Sequence, residues 1–164
     1  MSKPKTGAIL YPGSFDPPTL GHLDLMERAA ALYDKVYVGV LVNPGKKALF
    51  SAEERVIMLK NITARLPQIE VLSFSGLLID FCHKLGVNAI LRGLRDSLDF
   101  EGEIKVAQGL RVLDPRVETL FMGCDPRYSY LSSSMAREVA AGGGDISAFV
   151  PESVIPEIMR KYHS

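Results

Sequence analysis

Ala8-Ile9-Leu10-Tyr11-Pro12-Gly13-Ser14-Phe15-Asp16-Pro17-Pro18-Thr19-Leu20-Gly21-His22 begins with four residues that are apolar almost without alternation. A strand covered on both faces reads this way. The chain then enters a loop stiffened by Pro12, Pro17 and Pro18, whose rings fix φ, and passes into a helix near Leu20. Gly13 permits a tight departure from the strand, and Gly21 lets backbone come close to a ligand. Ser14 and Thr19 supply hydroxyls, and His22 falls in the first turn of the helix. An anion at that point would meet free N–H groups and the positive end of the helix dipole.

Outward from this unit, short runs rich in β-branched residues alternate with stretches of helical period. They predict strands at residues 8–11, 36–42, 69–74, 89–91 and 117–122. The first helix, 20–33, would bury Leu23, Met26, Ala30 and Tyr33 on one face. Ser51-Ala52-Glu53-Glu54 reads as a capping box that starts the second. Further helices are expected at 77–85, ended by Gly86, at 97–113, and at 132–141, ended by Gly142-Gly143-Gly144. A last one starts near Ser153, with Pro156 harmless in its first turn. The alternation predicts an α/β chain with a Rossmann-like open sheet of five parallel strands, helices on both faces and additional C-terminal helices. In such a sheet ligands bind beyond the carboxyl ends of the strands, so function should lie in the loops that follow them.

Composition agrees with a single domain over residues 1–164, a length within the range of one core. With 47% hydrophobic and 23% charged residues, the chain can bury a core and is unlike a disordered one. Nineteen basic side chains balance nineteen acidic ones, so no global field recruits nucleic acid or an anionic membrane, and affinity for anions must be local. Cys82 and Cys124 lack metal-ligand spacing and read as buried free thiols in a reducing compartment. No stretch approaches the roughly 18 apolar residues of a membrane span, which predicts a soluble, cytoplasmic protein.

The other loops repeat the theme. Asn43-Pro44-Gly45-Lys46-Lys47 offers two ammonium groups, which alone would read as solvated surface. Arg92-Gly93-Leu94-Arg95 offers two guanidiniums suited to phosphate, or an ion-paired scaffold with Asp96, Asp99 or Glu101. Leu131-Ser132-Ser133-Ser134 brings three hydroxyls to a helix N-terminus, as competing caps or as an anion site. His83 and His163 read as surface or satisfied histidines. The dinucleotide fingerprint and the Walker A pattern are both absent.

Gly13-Ser14-Phe15-Asp16-Pro17 with Thr19-Leu20-Gly21-His22 resembles the signature of the nucleotidyltransferase superfamily, in a Thr form that leaves one imidazole. Leu131-Ser132-Ser133-Ser134 resembles the superfamily's triphosphate motif. Over nearly the whole chain the sequence is similar to the bacterial phosphopantetheine adenylyltransferase family. That similarity rests on these motifs, on residues 74–81 and 91–103, and on 143–154. Gly102 and Leu110 depart from it, standing where relatives often have Tyr and some have Asn.

The resemblance implies transfer of AMP from ATP to 4′-phosphopantetheine, giving dephospho-coenzyme A and pyrophosphate by direct in-line attack without a covalent intermediate. It implies His22 as transition-state stabiliser, with Lys46 and Arg92 also catalytic; Ser14, Lys46, Leu78 and Arg92 on the acceptor; and Ser14, Phe15, His22, Gly93, Leu94, Arg95, Glu103, Tyr128, Ser129, Tyr130, Leu131, Ser132, Ser133 and Ser134 on ATP. Mg²⁺ held mainly by phosphates and water, a homohexamer and feedback binding of coenzyme A are implied as well. Rival readings are a cytidylyltransferase, a nicotinate-mononucleotide adenylyltransferase and a non-catalytic nucleotide sensor.

Overall fold

Ile9 and Leu10 of the first strand and Val36, Val38 and Val40 of the second are fully buried, and these two runs make the middle of the sheet. The computed structural model describes residues 7–45 and 47–162. Lys46 and His163 lie outside the described residues.

Five strands, β1 (Ala8–Gly13), β2 (Lys35–Leu41), β3 (Ile69–Phe74), β4 (Ala89–Leu94) and β5 (Glu118–Gly123), form a parallel sheet in the order β3-β2-β1-β4-β5. The helices are α1 (Leu20–Leu32), α2 (Ala52–Ile62), α3 (Leu78–Leu85), α4 (Ser97–Leu113), α5 (Ser133–Ala141) and α6 (Ile155–Tyr162). On one face Ile9, Val36, Val38 and Leu91 pack with Leu25 and Met26 of α1 and Leu59 of α2. On the other, Leu10, Phe74 and Ile90 pack with Ile79, Phe81 and Cys82 of α3. The C-terminal helices close a third cluster, in which Phe50 meets Ala136, Ala140, Val150 and Ile158. Among the described residues no helix is long and apolar enough to cross a membrane.

Strand order reverses its walk across the sheet between β1 and β4, so the crevice lies where the first loop meets Arg92-Gly93-Leu94. The predicted elements are therefore present, with three differences. The first and fourth strands run on to Gly13 and Leu94, carrying the motif residues into the sheet edge itself. The buried face of α1 is Leu25, Met26, Ala29 and Ala30, while Leu23 and Tyr33 are half-buried, because the helix also packs over β4. A Cβ at Gly93 would stand 2.3 Å from Leu25 Cδ1, so that glycine serves helix packing as well as the cleft. Finally, α4 buries no residue, leaving Leu98, Val106, Val112 and Leu113 exposed beside Leu120 of the edge strand.

Candidate active site

Thr19 is the N-cap of α1, and its hydroxyl accepts the His22 N–H at 3.3 Å. In return the Thr19 N–H donates to His22 Nδ1 at 3.0 Å. This is a capping box with imidazole in the place usually held by Glu or Gln. Its consequence is chemical: a ring nitrogen that accepts a backbone N–H carries no proton in the neutral ring, so the proton resides on Nε2. Burial, followed by the Arg95 guanidinium, lowers the His22 pKa from 6.5 to about 4. At neutral pH the ring is thus an uncharged Nε2–H donor.

Phe15 lies beneath this ring, edge to face at 5.0 Å, and meets Tyr11 in the same manner at 5.4 Å. It adopts a left-handed backbone, φ 49°, and is almost fully buried. Gly13 makes room for it, since a Cβ there would come within 2.9 Å of the Phe15 ring. The first loop is anchored through Asp16, whose carboxylate accepts the N–H groups of Leu49 and Phe50 at 2.8 and 2.9 Å.

These residues floor a cleft of ≈ 260 Å³ that is also lined by Arg92, Gly93, Leu94, Arg95, Glu103, Tyr128, Leu131, Ser132 and Ser133. A second cleft, ≈ 290 Å³, is lined by Ser14, Leu41, Phe74, Leu78, Val106 and Leu110. The two share Pro12, Gly13, Arg92 and Glu103 as their common wall. Most of the residues singled out from the sequence are therefore assembled at one sheet edge. Ser134 lines neither cleft and faces a third, beside α5. Ser129 and Tyr130 line none of the three: the Ser129 hydroxyl donates to Pro126 O at 3.0 Å, and the Tyr130 ring packs on Phe149.

Both arginines are ion-paired. Arg92 donates through Nε and Nη2 to Glu103 at 2.5 and 2.6 Å, and through Nη1 to Pro12 O at 3.3 Å. Arg95 grips Asp99 at 2.8 and 2.9 Å and reaches Leu131 O at 3.1 Å. Of the acids weighed as scaffold partners only Asp99 serves as one; Asp96 caps α4 and Glu101 is exposed. The serines are committed too. Ser132 caps α5 by accepting the Met135 N–H, Ser133 donates to Pro17 O at 2.7 Å, and Ser134 accepts from Arg137. Capping and anion binding coexist here, because the cap takes only the Met135 N–H and leaves the other N–H groups of the first turn unused by it. Tyr11, Thr19, Asp99 and Cys124 also line the first cleft, although sequence reasoning left them out of the site. Of these only Thr19 had a local signal, the Thr-x-x-His spacing.

The cytidylyltransferase-like family model matches residues 10–139. A phosphopantetheine adenylyltransferase of Lachnoclostridium phytofermentans is 48% identical over 154 residues, covering 94% of each chain. The enzyme of that name from Clostridium botulinum strain Hall is 51% identical over 152 residues, covering 93% of each. A crystal structure described as that of a nicotinate-nucleotide adenylyltransferase from Vibrio parahaemolyticus superposes with a TM-score of 0.67. It is 15% identical and covers 94% of this chain and 99% of its own, a likeness of fold.

The neutral His22 gives a pH signature. An unfolded imidazole takes up its proton near pH 6.5, whereas the folded ring does so only near pH 4, so stability present above pH 6.5 is lost as pH falls through this window. Thermal melts from pH 7 to pH 5 are expected to show a falling Tm, with a shallower slope in His22→Gln. Equal slopes in both proteins would mean that the ring is not held neutral.

Proposed function

The chain belongs to the cytidylyltransferase-like family and, within it, to the phosphopantetheine adenylyltransferases, and on that premise we propose how its residues carry the reaction. It is a nucleotidyltransferase of coenzyme A biosynthesis. The observation that carries the mechanism is the pair of clefts meeting at Pro12, Gly13, Arg92 and Glu103, with His22 on the first and Ser14 and Leu78 on the second. ATP occupies the first cleft and 4′-phosphopantetheine the second, its apolar arm along Leu78, Val106 and Leu110.

An oxygen of the acceptor phosphate attacks the α-phosphorus of ATP. The bond to the β-phosphate oxygen breaks, and its electron pair leaves with pyrophosphate. The attacker is already an anion, so no protein nucleophile is needed. The barrier comes from juxtaposing polyanions and from charge growing on the transferring group. Arg92 and Lys46 hold the acceptor phosphate, and Ser14 orients it. The neutral His22 Nε2–H donates to an α-phosphate oxygen, a role for a donor and not for a base. Arg95 and the first turn of α5, at Ser132 and Ser133, take the β,γ-phosphates, while Phe15, Gly93, Leu94, Glu103, Tyr128 and Leu131 frame the nucleotide.

Magnesium enters this scheme with the substrate. Asp99 and Glu103 are gripped by arginines and Asp16 by two amides, and among the described residues no group of three His, Cys, Asp or Glu side chains gathers. These committed carboxylates offer a metal no free ligand set, and an ion carried by the substrate phosphates would supply charge neutralisation there with water as its other ligands. The unpaired Cys82 and Cys124 accord with a cytoplasmic setting.

The apolar side chains left exposed on α4 support an interface between copies of the chain, and the family resemblance makes that assembly a homohexamer. Sedimentation is expected to give six chains per particle, and a monomer would refute this. Coenzyme A carries both an adenylyl and a pantetheine end, so its feedback binding should show as inhibition competitive with 4′-phosphopantetheine.

The deciding experiment follows pyrophosphate release from ATP and Mg²⁺ with 4′-phosphopantetheine, nicotinate mononucleotide or a CTP-dependent acceptor pair. Release is expected with 4′-phosphopantetheine alone. His22→Ala is expected to lower kcat by about 10²–10³ with little change in ATP affinity; activity within tenfold of the parent defeats the assignment. Lys46→Ala should raise the acceptor KM, and an unchanged value would remove Lys46 from the site.

A further inference from the structure

Tyr11 closes the apolar run that opens β1, and it is only 5% exposed. Its ring belongs to the cluster of Ile9, Leu25 and Met26 and meets Phe15 edge to face at 5.4 Å. These neighbours would serve a phenylalanine equally well. The hydroxyl therefore needs its own account, since a buried phenol ordinarily finds a hydrogen-bond partner.

Among the described residues no hydrogen bond reaches that hydroxyl. Among them, too, no side-chain oxygen or nitrogen sealed from solvent lacks a partner, so the Tyr11 oxygen opens on the nucleotide cleft that the residue lines. Gly93 leaves it uncovered, as a Cβ there would stand 3.9 Å from the oxygen. Burial, offset by Arg92 and reinforced by Asp24 and Glu103, holds the phenol pKa above its ordinary value. The group is thus an uncharged donor and acceptor at the edge of a buried ring.

Three parts of a nucleotide compete for such a group. Phosphate is disfavoured, because two carboxylates act on the hydroxyl against one guanidinium, and His22, Arg95 and the first turn of α5 already supply the cleft with donors for anions. A purine asks for a ring face or an aliphatic surface, whereas the Tyr11 ring is packed within the core and only its oxygen is offered. A ribose hydroxyl is neutral and both gives and accepts a hydrogen bond, which matches the phenol.

We infer that the Tyr11 hydroxyl hydrogen-bonds to a ribose hydroxyl of the nucleotide, which makes Tyr11 a residue that selects a ribonucleoside over a deoxyribonucleoside triphosphate. The inference rests on a nucleotide occupying this cleft, as proposed above, and adds the sugar to what the site reads.

Calorimetric titration of the full chain with ATP, 2′-deoxy-ATP and 3′-deoxy-ATP, each with Mg²⁺ and without acceptor, tests this in the absence of turnover. Wild-type protein is expected to bind one of the two deoxynucleotides about three- to tenfold more weakly than ATP, the range of one neutral hydrogen bond. Tyr11→Phe keeps the ring and its packing. It is expected to weaken ATP binding by about that factor and to bind ATP and the same deoxynucleotide within about twofold of each other. Equal affinity of the wild-type protein for all three nucleotides overturns the inference without need of a variant. A Tyr11→Phe protein that discriminates as the wild type does overturns it as well, even where ATP binding weakens, since the contact would then lie on phosphate or base. Failure of the wild-type protein to bind ATP at all would overturn the nucleotide assignment of the cleft and the inference with it, whereas ATP binding with unaltered discrimination sinks the inference alone.

Discussion

The 3.0 Å hydrogen bond from the Thr19 amide to His22 Nδ1 joins the start of a helix to the chemistry of the cleft. Without it the first turn of α1 would lose a satisfied donor, and the imidazole would be free to choose its tautomer and its rotamer. With it, one contact fixes the ring plane, the position of the proton and the entry angle of the helix. The same contact disfavours protonation, because a charged ring would present an N–H to an N–H. Burial and the nearby Arg95 act in that direction as well. A helix cap is worth about 1 kcal/mol, and here that local energy also maintains a neutral donor beside a space built for phosphates.

The cap holds its place because the loop before it is tied down from two sides. Asp16 receives the amides of Leu49 and Phe50, and Arg55 binds the carbonyls of Ser14 and Leu41. Ser133 and Arg137 add bonds from α5 to the carbonyls of Pro17 and Asp16. The ends of β1 and β2, α2 and α5 are thereby joined through side chains under the loop, Asp16 and Arg55 buried and Ser133 and Arg137 half-buried. A loop that carries reacting groups needs such support, since a small displacement of the donor costs much of its effect.

The architecture was legible because its signals are local. Unalternating apolar runs marked the inner strands, Ser51-x-x-Glu54 marked the start of α2, and Gly86 marked the end of α3 in a left-handed conformation. The sheet edge was legible through its motifs, which brought Phe15, His22, Arg92 and Ser132 to one cleft. What escaped depends on contacts distant in sequence. The tilt that buries Leu25 in place of Leu23 follows from packing on Gly93, which no helical period reports. Glu103 as the partner of Arg92 lies eleven residues on, beyond the nearer acids that a local reading weighs. Tyr130 joined the site by adjacency in the chain, yet its ring finds Phe149 instead. The Thr19-x-x-His22 cap could have been read, had imidazole been admitted where Glu or Gln is usual.

The pairing of Arg92 with Glu103 does not remove it from phosphate chemistry. A guanidinium has five N–H donors, and the bonds to Glu103 and Pro12 use three. The remaining two belong to the terminal nitrogens, on a fork whose plane the carboxylate has already fixed. Ordering a free arginine would cost up to about 2 kcal/mol of rotamer entropy on binding; here much of that ordering is done before substrate arrives. The carboxylate has a second effect, as it repels an approaching anion. An arginine so paired binds phosphate less greedily than a bare one, which suits a turnover site that must release a phosphorylated product. Since the pair walls both clefts, its geometry sets how closely the two polyanionic substrates can meet.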